Sequence, residues 1–227
     1  MNNTDYLVPA FKESLFNEAL SDVTIDIFEV GIDSILEGSF LEKLPFFNIL
    51  IGSLRAARGL QERNMLKNTA VFLNTINSKK IDEKKLSQYK EKLKDEKVAE
   101  KELGRVLILL NQYVDNIKSR MLGIVFWKYV NEEYAWNKFC ELSDIVSRVF
   151  IDDIEYLKEI SESPEKKKQY HIYSIPYNIK RLESLGLLEL YGEYNRFGDT
   201  ILQKENMFVA LTANGKIFLE LDSKDFH

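Results

Sequence analysis

A mainly α-helical chain that closes on a small α+β domain is what three features of this sequence predict. Apolar residues recur at the helical period over most of positions 1–149, a helix bounded by Pro176 and Gly186 follows, and two extended segments then lead into a last short helix. The expected division is an all-helical domain over 1–149 and a smaller domain over 150–227. With 227 residues and 45% hydrophobic content, the chain has enough apolar material for buried cores in both.

The first element runs from Tyr6 to Leu20, where Leu7, Phe11, Leu15 and Leu20 fall near helical spacing and Pro9 is expected in the opening turn. Val23 to Leu36 follows, with Ile25, Ile27, Phe28, Ile32, Ile35 and Leu36 on an apolar side and Asp22 as N-cap; its β-branched start also fits a strand. After Gly38 and Ser39, Leu44 to Leu54 reads as a helix with Pro45 in its first turn and apolar residues on nearly every face. Such a helix must be covered by something. The domain core is the first reading, and contact of Phe46 and Phe47 with a partner or a membrane is the alternative.

Leu66, Ala70, Leu73 and Ile76 carry a helix from Leu60 to Ile76, which Asn77 and Ser78 break. Lys79 to Arg105 contains ten basic and seven acidic residues around sparse apolar positions, which predicts a solvated helical hairpin laced by alternating charges. From Leu103 to Met121 the apolar positions form one continuous stripe, and Leu122 to Val130 is apolar on all sides. Asn131 with Glu132 and Glu133 then offers a cap and an acidic first turn to a helix bearing Trp136, Phe139, Cys140, Val146 and Phe150.

In the smaller domain Ile151, Ile154, Leu157 and Ile160 share one face of a first helix, and Ser161 to Lys168 is a charged break containing Pro164. Ser174 is the expected cap of the next helix, with Pro176 in its first turn. That helix turns Ile175, Ile179, Leu182 and Leu185 inward and stops at Gly186, where a left-handed residue is unstrained. Tyr177, Asn178, Arg181 and Ser184 are left on its outer face. Helix, two strands about a tight connection, and closing helix are the order of a winged helix, a module that binds nucleic acid or protein. The outer residues are of the types that read DNA. Charge argues against that use, because Glu165 to His227 holds nine basic and nine acidic residues and phosphate contact needs a basic surface. Protein docking, or a structural role alone, is favoured.

Reactive chemistry is scarce. The two histidines are His171 and the terminal His227, so a nucleophile, base and acid triad would rest on His171, with Cys140 as the alternative thiol for a dyad. Nucleotide-loop, metal-spacing and calcium-loop motifs are missing from the sequence. The adjacent acids Asp152–Asp153 and Glu132–Glu133 stand where a helix dipole accounts for them. No catalytic, cofactor-binding or metal-binding residue is assigned, and the chain is expected not to be an enzyme. Its net charge of −5 gives no global attraction to nucleic acid or an anionic bilayer. One cysteine and an N-terminus without a basic start and apolar run point to the cytoplasm.

Taken in order, Gly31-Ile32-Asp33-Ser34-Ile35-Leu36, Leu44-Pro45-Phe46-Phe47, Leu66 through Phe72-Leu73, Leu185-Gly186-Leu187-Leu188 and Leu211-Thr212-Ala213-Asn214-Gly215 resemble a group of poorly characterised bacterial and prophage proteins. That group is similar to the alpha type of abortive-infection proteins. The resemblance implies a helical body with a winged-helix-like tail acting in phage–host conflict, and it brings no catalytic residues with it. The function expected is therefore a non-enzymatic, protein-binding component of anti-phage defence. Its contact residues would be Tyr177, Asn178, Arg181 and Ser184, with Phe46 and Phe47 as further candidates. The alternatives are a winged-helix DNA-binding transcriptional regulator and a membrane-active effector that releases the 44–54 helix. Association with further copies of the chain is compatible with each.

Overall fold

The computed structural model describes residues 4–17, 44–50, 59–162, 169–197 and 200–222, without the side chains of 4, 5, 169, 193–206 and 222. The chain divides into two compact units, Met1–Ser143 and Asp144–His227. The helix expected over 23–36, and the far ends of those expected over 6–20 and 44–54, lie outside the described residues.

The first unit is helical. It contains α1 (Thr4–Leu15), helical residues 45–50, α2 (Leu60–Asn77), α3 (Glu83–Lys92), α4 (Glu96–Gln112), α5 (Asn116–Val130) and the first part of α6 (Trp136–Arg148). Pro45 opens its helix as the sequence predicts. Pro9 does not: it lies inside α1, past the opening turn, between buried Val8 and Ala10. Tertiary packing of that face outweighs the missing N–H.

A chain of aromatic contacts runs through the core, from Phe46 to Phe11 (5.2 Å between ring centroids), Phe11 to Phe72 (6.0 Å), Phe72 to Phe126 (5.5 Å) and Phe126 to Phe139 (5.7 Å). Phe46 and Phe47 are both 0% exposed, in keeping with the core reading of their helix and against the alternative in which they meet a partner or a membrane. The N–H of Phe46 donates to Ser14 Oγ at 3.2 Å, fixing the start of their helix against α1. Deeper in, α2 and α5 approach closely at Gly123, where an added Cβ would lie 2.9 Å from Thr75 Cβ and 3.2 Å from the Phe72 carbonyl.

Three further expectations for this unit are corrected. The stripe from Leu103 to Met121 is not one helix, since α4 ends at Gln112 and α5 starts at Asn116. The break is made from outside: Asn68 Nδ2 donates to the carbonyls of Leu110 (2.9 Å) and Tyr113 (2.7 Å), and Asn64 Nδ2 donates to that of Tyr113 (2.5 Å). Side chains of α2 thus satisfy helix-end carbonyls that a continuing helix would have occupied. Second, Asn131, Glu132 and Glu133 close α5 instead of opening α6. Their N–H groups donate back to the carbonyls of Trp127, Tyr129 and Lys128, and Glu132 takes a left-handed φ of 56°.

Third, the charged hairpin of α3 and α4 is not simply a solvated pair. Asp82 and Asp95 cap its helices, accepting from the N–H groups of Lys85 (3.1 Å) and Lys97 (2.9 Å), while Tyr89, Leu93, Ala99, Glu102 and Leu103 are buried.

The second unit is α+β. It holds the end of α6, then α7 (Asp152–Glu162), β1 (Gln169–His171), a 3-10 turn (Ile172–Ser174), α8 (Tyr177–Ser184), β2 (Leu188–Phe197), β3 (Thr200–Leu211) and α9 (Ala213–Asp222). The three strands form one antiparallel sheet in the order β1-β3-β2. Gln169 pairs with Phe208, and the β2–β3 hairpin runs from Leu188↔Leu211 to Phe197↔Thr200 with an irregularity between Gly192 and Tyr194. Ile154, Leu157, Ile179, Leu182, Leu187, Phe218 and Leu221 are among its buried apolar residues. A helical unit followed by a small α+β unit is the architecture the sequence predicted.

Gly186 ends α8 at φ 70°, with its N–H on the Glu183 carbonyl (2.8 Å) and that of Leu187 on the Leu182 carbonyl (2.9 Å). The predicted cap of α8 is corrected. Ser174 Oγ donates to the His171 carbonyl (3.3 Å) inside the 3-10 turn, and Pro176, its φ set by its ring, leads into the helix. Ile175 and Leu185 are only half-buried, while Ile179 and Leu182 are buried. Thr212 begins α9, its hydroxyl accepting from the N–H of Gly215 (3.0 Å) and donating to the Gly186 carbonyl (2.6 Å).

Among the described residues, no helix is long and apolar enough to cross a membrane. The close approach at Gly123 predicts that Gly123→Ala lowers unfolding free energy in chemical denaturation by about 1–3 kcal/mol. Gly104→Ala, with no atom nearer than 3.7 Å to the new methyl, is expected to raise it by about 0.5–1 kcal/mol.

Candidate functional site

In the second unit, α8 carries the four outward residues read from the sequence, and the structure gives them unequal roles. Arg181 forks onto Asp153 of α7, with Nε on Oδ2 at 2.7 Å and Nη2 on Oδ1 at 2.6 Å. The arginine side chain is 50% exposed and that of the aspartate 5%, so a surface cation is committed to a buried anion. Hydrogen bonding to Asp153 raises the pKa of Arg181 further above its ordinary value. The guanidinium also lies 5.4 Å from the centre of the Phe150 ring. Asp153 therefore does more than complement the dipole of α7, which corrects its sequence reading.

Asn178 and Ser184 spend polar atoms on their own helix: Asn178 Oδ1 accepts from the N–H of Ile179 (2.9 Å), and Ser184 Oγ donates to the Arg181 carbonyl (2.7 Å). Tyr177 stands one turn before Arg181 and is 82% exposed. Sequence reasoning missed two neighbours in the chain, Tyr173 at 87% and Phe150 at 55% exposure. Tyr173 lies on a 3-10 turn that no apolar periodicity marks, and Phe150, which helical spacing assigns to α6, falls in the connection after that helix ends at Arg148.

The first unit holds a buried polar cluster. Glu102 on α4 is 3% exposed. Its Oε2 accepts from the Tyr89 hydroxyl (3.1 Å), and its Oε1 accepts from the Tyr129 hydroxyl (2.8 Å) and from Lys92 Nζ (2.5 Å). Lys92 also bonds the Tyr129 hydroxyl and stands over the rings of Tyr129 (5.1 Å) and Tyr89 (5.8 Å). Burial foremost, then the Glu102 carboxylate, pushes both phenols well above the ordinary tyrosine range. The sequence held a signal: Glu102 interrupts the otherwise apolar run Ala99, Leu103, Val106 at helical spacing. Tyr89, Lys92 and Tyr129 also face a cavity of about 490 Å³.

The remaining candidates, His171 and Cys140, belong to different units. His171 is exposed, its Nδ1 accepting from the N–H of Tyr173 (3.4 Å). Burial pushes the Cys140 thiol up, the opposite of an activated nucleophile. Among the described residues, no group of three or more His, Cys, Asp or Glu could hold a metal ion. No protein-family model, no curated protein and no solved structure matches this chain.

Removing either member of the Arg181–Asp153 pair should have unequal effects. Arg181→Met leaves a buried carboxylate alone, whereas Asp153→Asn returns a half-exposed guanidinium to water, so thermal melts at neutral pH are expected to show the larger fall in Tm for Arg181→Met. The phenols of the Glu102 cluster ionise later in the folded than in the unfolded chain. Their contribution to stability is present in full below about pH 10 and is lost as pH rises further. Urea denaturation across that range is expected to show a shallower alkaline loss for the Tyr89→Phe, Tyr129→Phe double variant.

Proposed function

We propose that this chain is a non-enzymatic, cytoplasmic protein-binding component of anti-phage defence or another phage–host interaction, and that its second unit is a winged-helix-like docking module. The order α7, β1, α8, hairpin β2–β3, with β3 between β1 and β2, supports the module reading. One observation favours protein over DNA: Arg181, the residue placed to meet phosphate, is held by Asp153, while Tyr177 and Tyr173 hold their rings out to solvent. Phosphate-led binding needs cations in surplus, and the stretch from Glu165 to His227 has none in balance. Exposed tyrosines beside a fixed arginine suit the centre of a protein interface, where large rings of few rotamers contribute contact area at small entropic cost.

Tyr177, Tyr173 and Phe150, with Arg181 fixed beside them, form the contact face in this reading, and Asn178 and Ser184 shape its edge. The setting in phage–host conflict rests on the sequence resemblance. The membrane-effector alternative is less well supported, because Phe46 and Phe47 would have to leave a packed core.

Plaque formation over a phage panel tests the reading, in bacteria expressing the chain or the Tyr173→Ala, Tyr177→Ala double variant at matched soluble levels. Protection by the chain and its loss in the variant, with no DNA mobility shift at low salt, is the expected result. Unaltered protection in the double variant, together with a salt-sensitive DNA shift that Lys180→Glu abolishes, would move the assignment to the DNA-binding regulator.

A further inference from the structure

We propose that the cavity of about 490 Å³ in the first unit is a binding site for a small aromatic anion, its charged group held by Lys85 and Lys92 and its ring lying against Tyr129, Val130 and Tyr134. The volume falls in the range of roughly 300–1,000 Å³ typical of small-molecule sites. One wall is a single face of α3, because Lys85, Gln88, Tyr89 and Lys92 follow one another at helical spacing. The facing wall is the end of α5 and the turn that the left-handed Glu132 makes.

Donor and acceptor chemistry selects the ligand. Glu102 accepts from two phenols and from Lys92, so its carboxylate is matched before any ligand arrives. Lys92 gives N–H groups to Glu102 and Tyr129, and an ammonium has a third to offer. Its side chain is 43% exposed although its partner carboxylate is buried, which places a held cation at the cavity floor. Lys85 donates to the Asn131 carbonyl at 2.6 Å, a backbone oxygen that leaves the ammonium charge uncancelled by that bond. Gln88 adds an amide to the same wall.

The cavity thus offers two cations from one helix face, already oriented by bonds that a ligand need not break. Phenol rings, the small apolar Val130 and Ala135, and the exposed carboxylate of Glu132 at the turn line the rest; the rings suit a flat ligand, and its anionic group belongs at the α3 wall, where the two lysines stand. An aromatic carboxylate and a nucleoside monophosphate share this chemistry. This site is independent of the docking face on α8.

Isothermal titration of the full chain with 4-hydroxybenzoate and, separately, adenosine monophosphate is the test, and the arm that binds separates carboxylate from phosphate. Lys92→Met would strand Glu102 and can unfold the chain, so two other variants carry the experiment. Lys85→Glu reverses one cation, and Ala135→Trp fills the cavity from its exposed edge without changing charge. Saturable binding of at least one probe is expected, weakened about tenfold or more in both variants, with unaltered thermal unfolding and unaltered binding in the exposed control Lys84→Glu. Absence of saturable binding by either probe would overturn the proposal, as would binding that survives both Lys85→Glu and Ala135→Trp.

Discussion

Taking a carboxylate out of water costs several kcal/mol unless donors replace the lost hydration, and each unit of this chain is arranged around that constraint. Among the described residues the buried acids are Glu102 and Asp153. Glu102 draws three helices together, because its partners Tyr89 and Lys92 come from α3 and Tyr129 from α5 while it belongs to α4. Apolar contacts alone would tolerate a slip between those helices; a carboxylate with three donors does not, since any slip strands a buried charge. Asp153 has a simpler solution in one guanidinium fork, which sets the register of α8 on α7. That solution bears on function as well as on packing. The fork ties the arginine of α8 to α7, while Tyr177 on the same helix keeps its ring in solvent.

Much of the fold is legible because it is local. Helical period located α2, α7 and α8, Pro45 marked a first turn, and Gly186 marked a left-handed stop that the structure places at φ 70°. The errors share a physical origin in distant partners. Between Leu103 and Met121 the apolar stripe outweighs the weak helix formers Asn111, Asp115 and Asn116 in sequence, and the break is held by Asn64 and Asn68 of α2. The acids at 132 and 133 resemble a helix start, yet the turn they occupy is fixed by bonds back to α5. Asp82 and Asp95, counted as part of an alternating charge pattern, are caps whose role shows only once the helix limits are known.

The candidate sites were less legible than the fold. Spacing correctly put Tyr177 at the surface, but residue type alone could not tell that Arg181 has a buried partner 28 positions away. Phe46 and Phe47 illustrate the converse difficulty, since apolarity is the same signal in a core and in an interface. Glu102 is the counterexample, an acid standing in an apolar stripe at a position whose neighbours are core residues. The cavity beside it required α3 and the turn after α5 to be placed in three dimensions, and neither segment announces the other in sequence.

The corner between α4 and α5 has a consequence for how the chain acquires its structure. Its donors sit 42 to 49 residues away, so the corner cannot form until a long loop has closed. Before that event, the uninterrupted apolar stripe favours a single straight helix through Tyr113. Contact with α2 therefore does more than cover a surface: the Tyr113 N–H keeps its helical bond to Leu109, and its carbonyl takes two asparagine amides in place of a further helical turn. The bend is a memory of assembly, absent from the segment that bends, and it makes the path of the chain at residues 113–115 a reporter of whether α2 is in place.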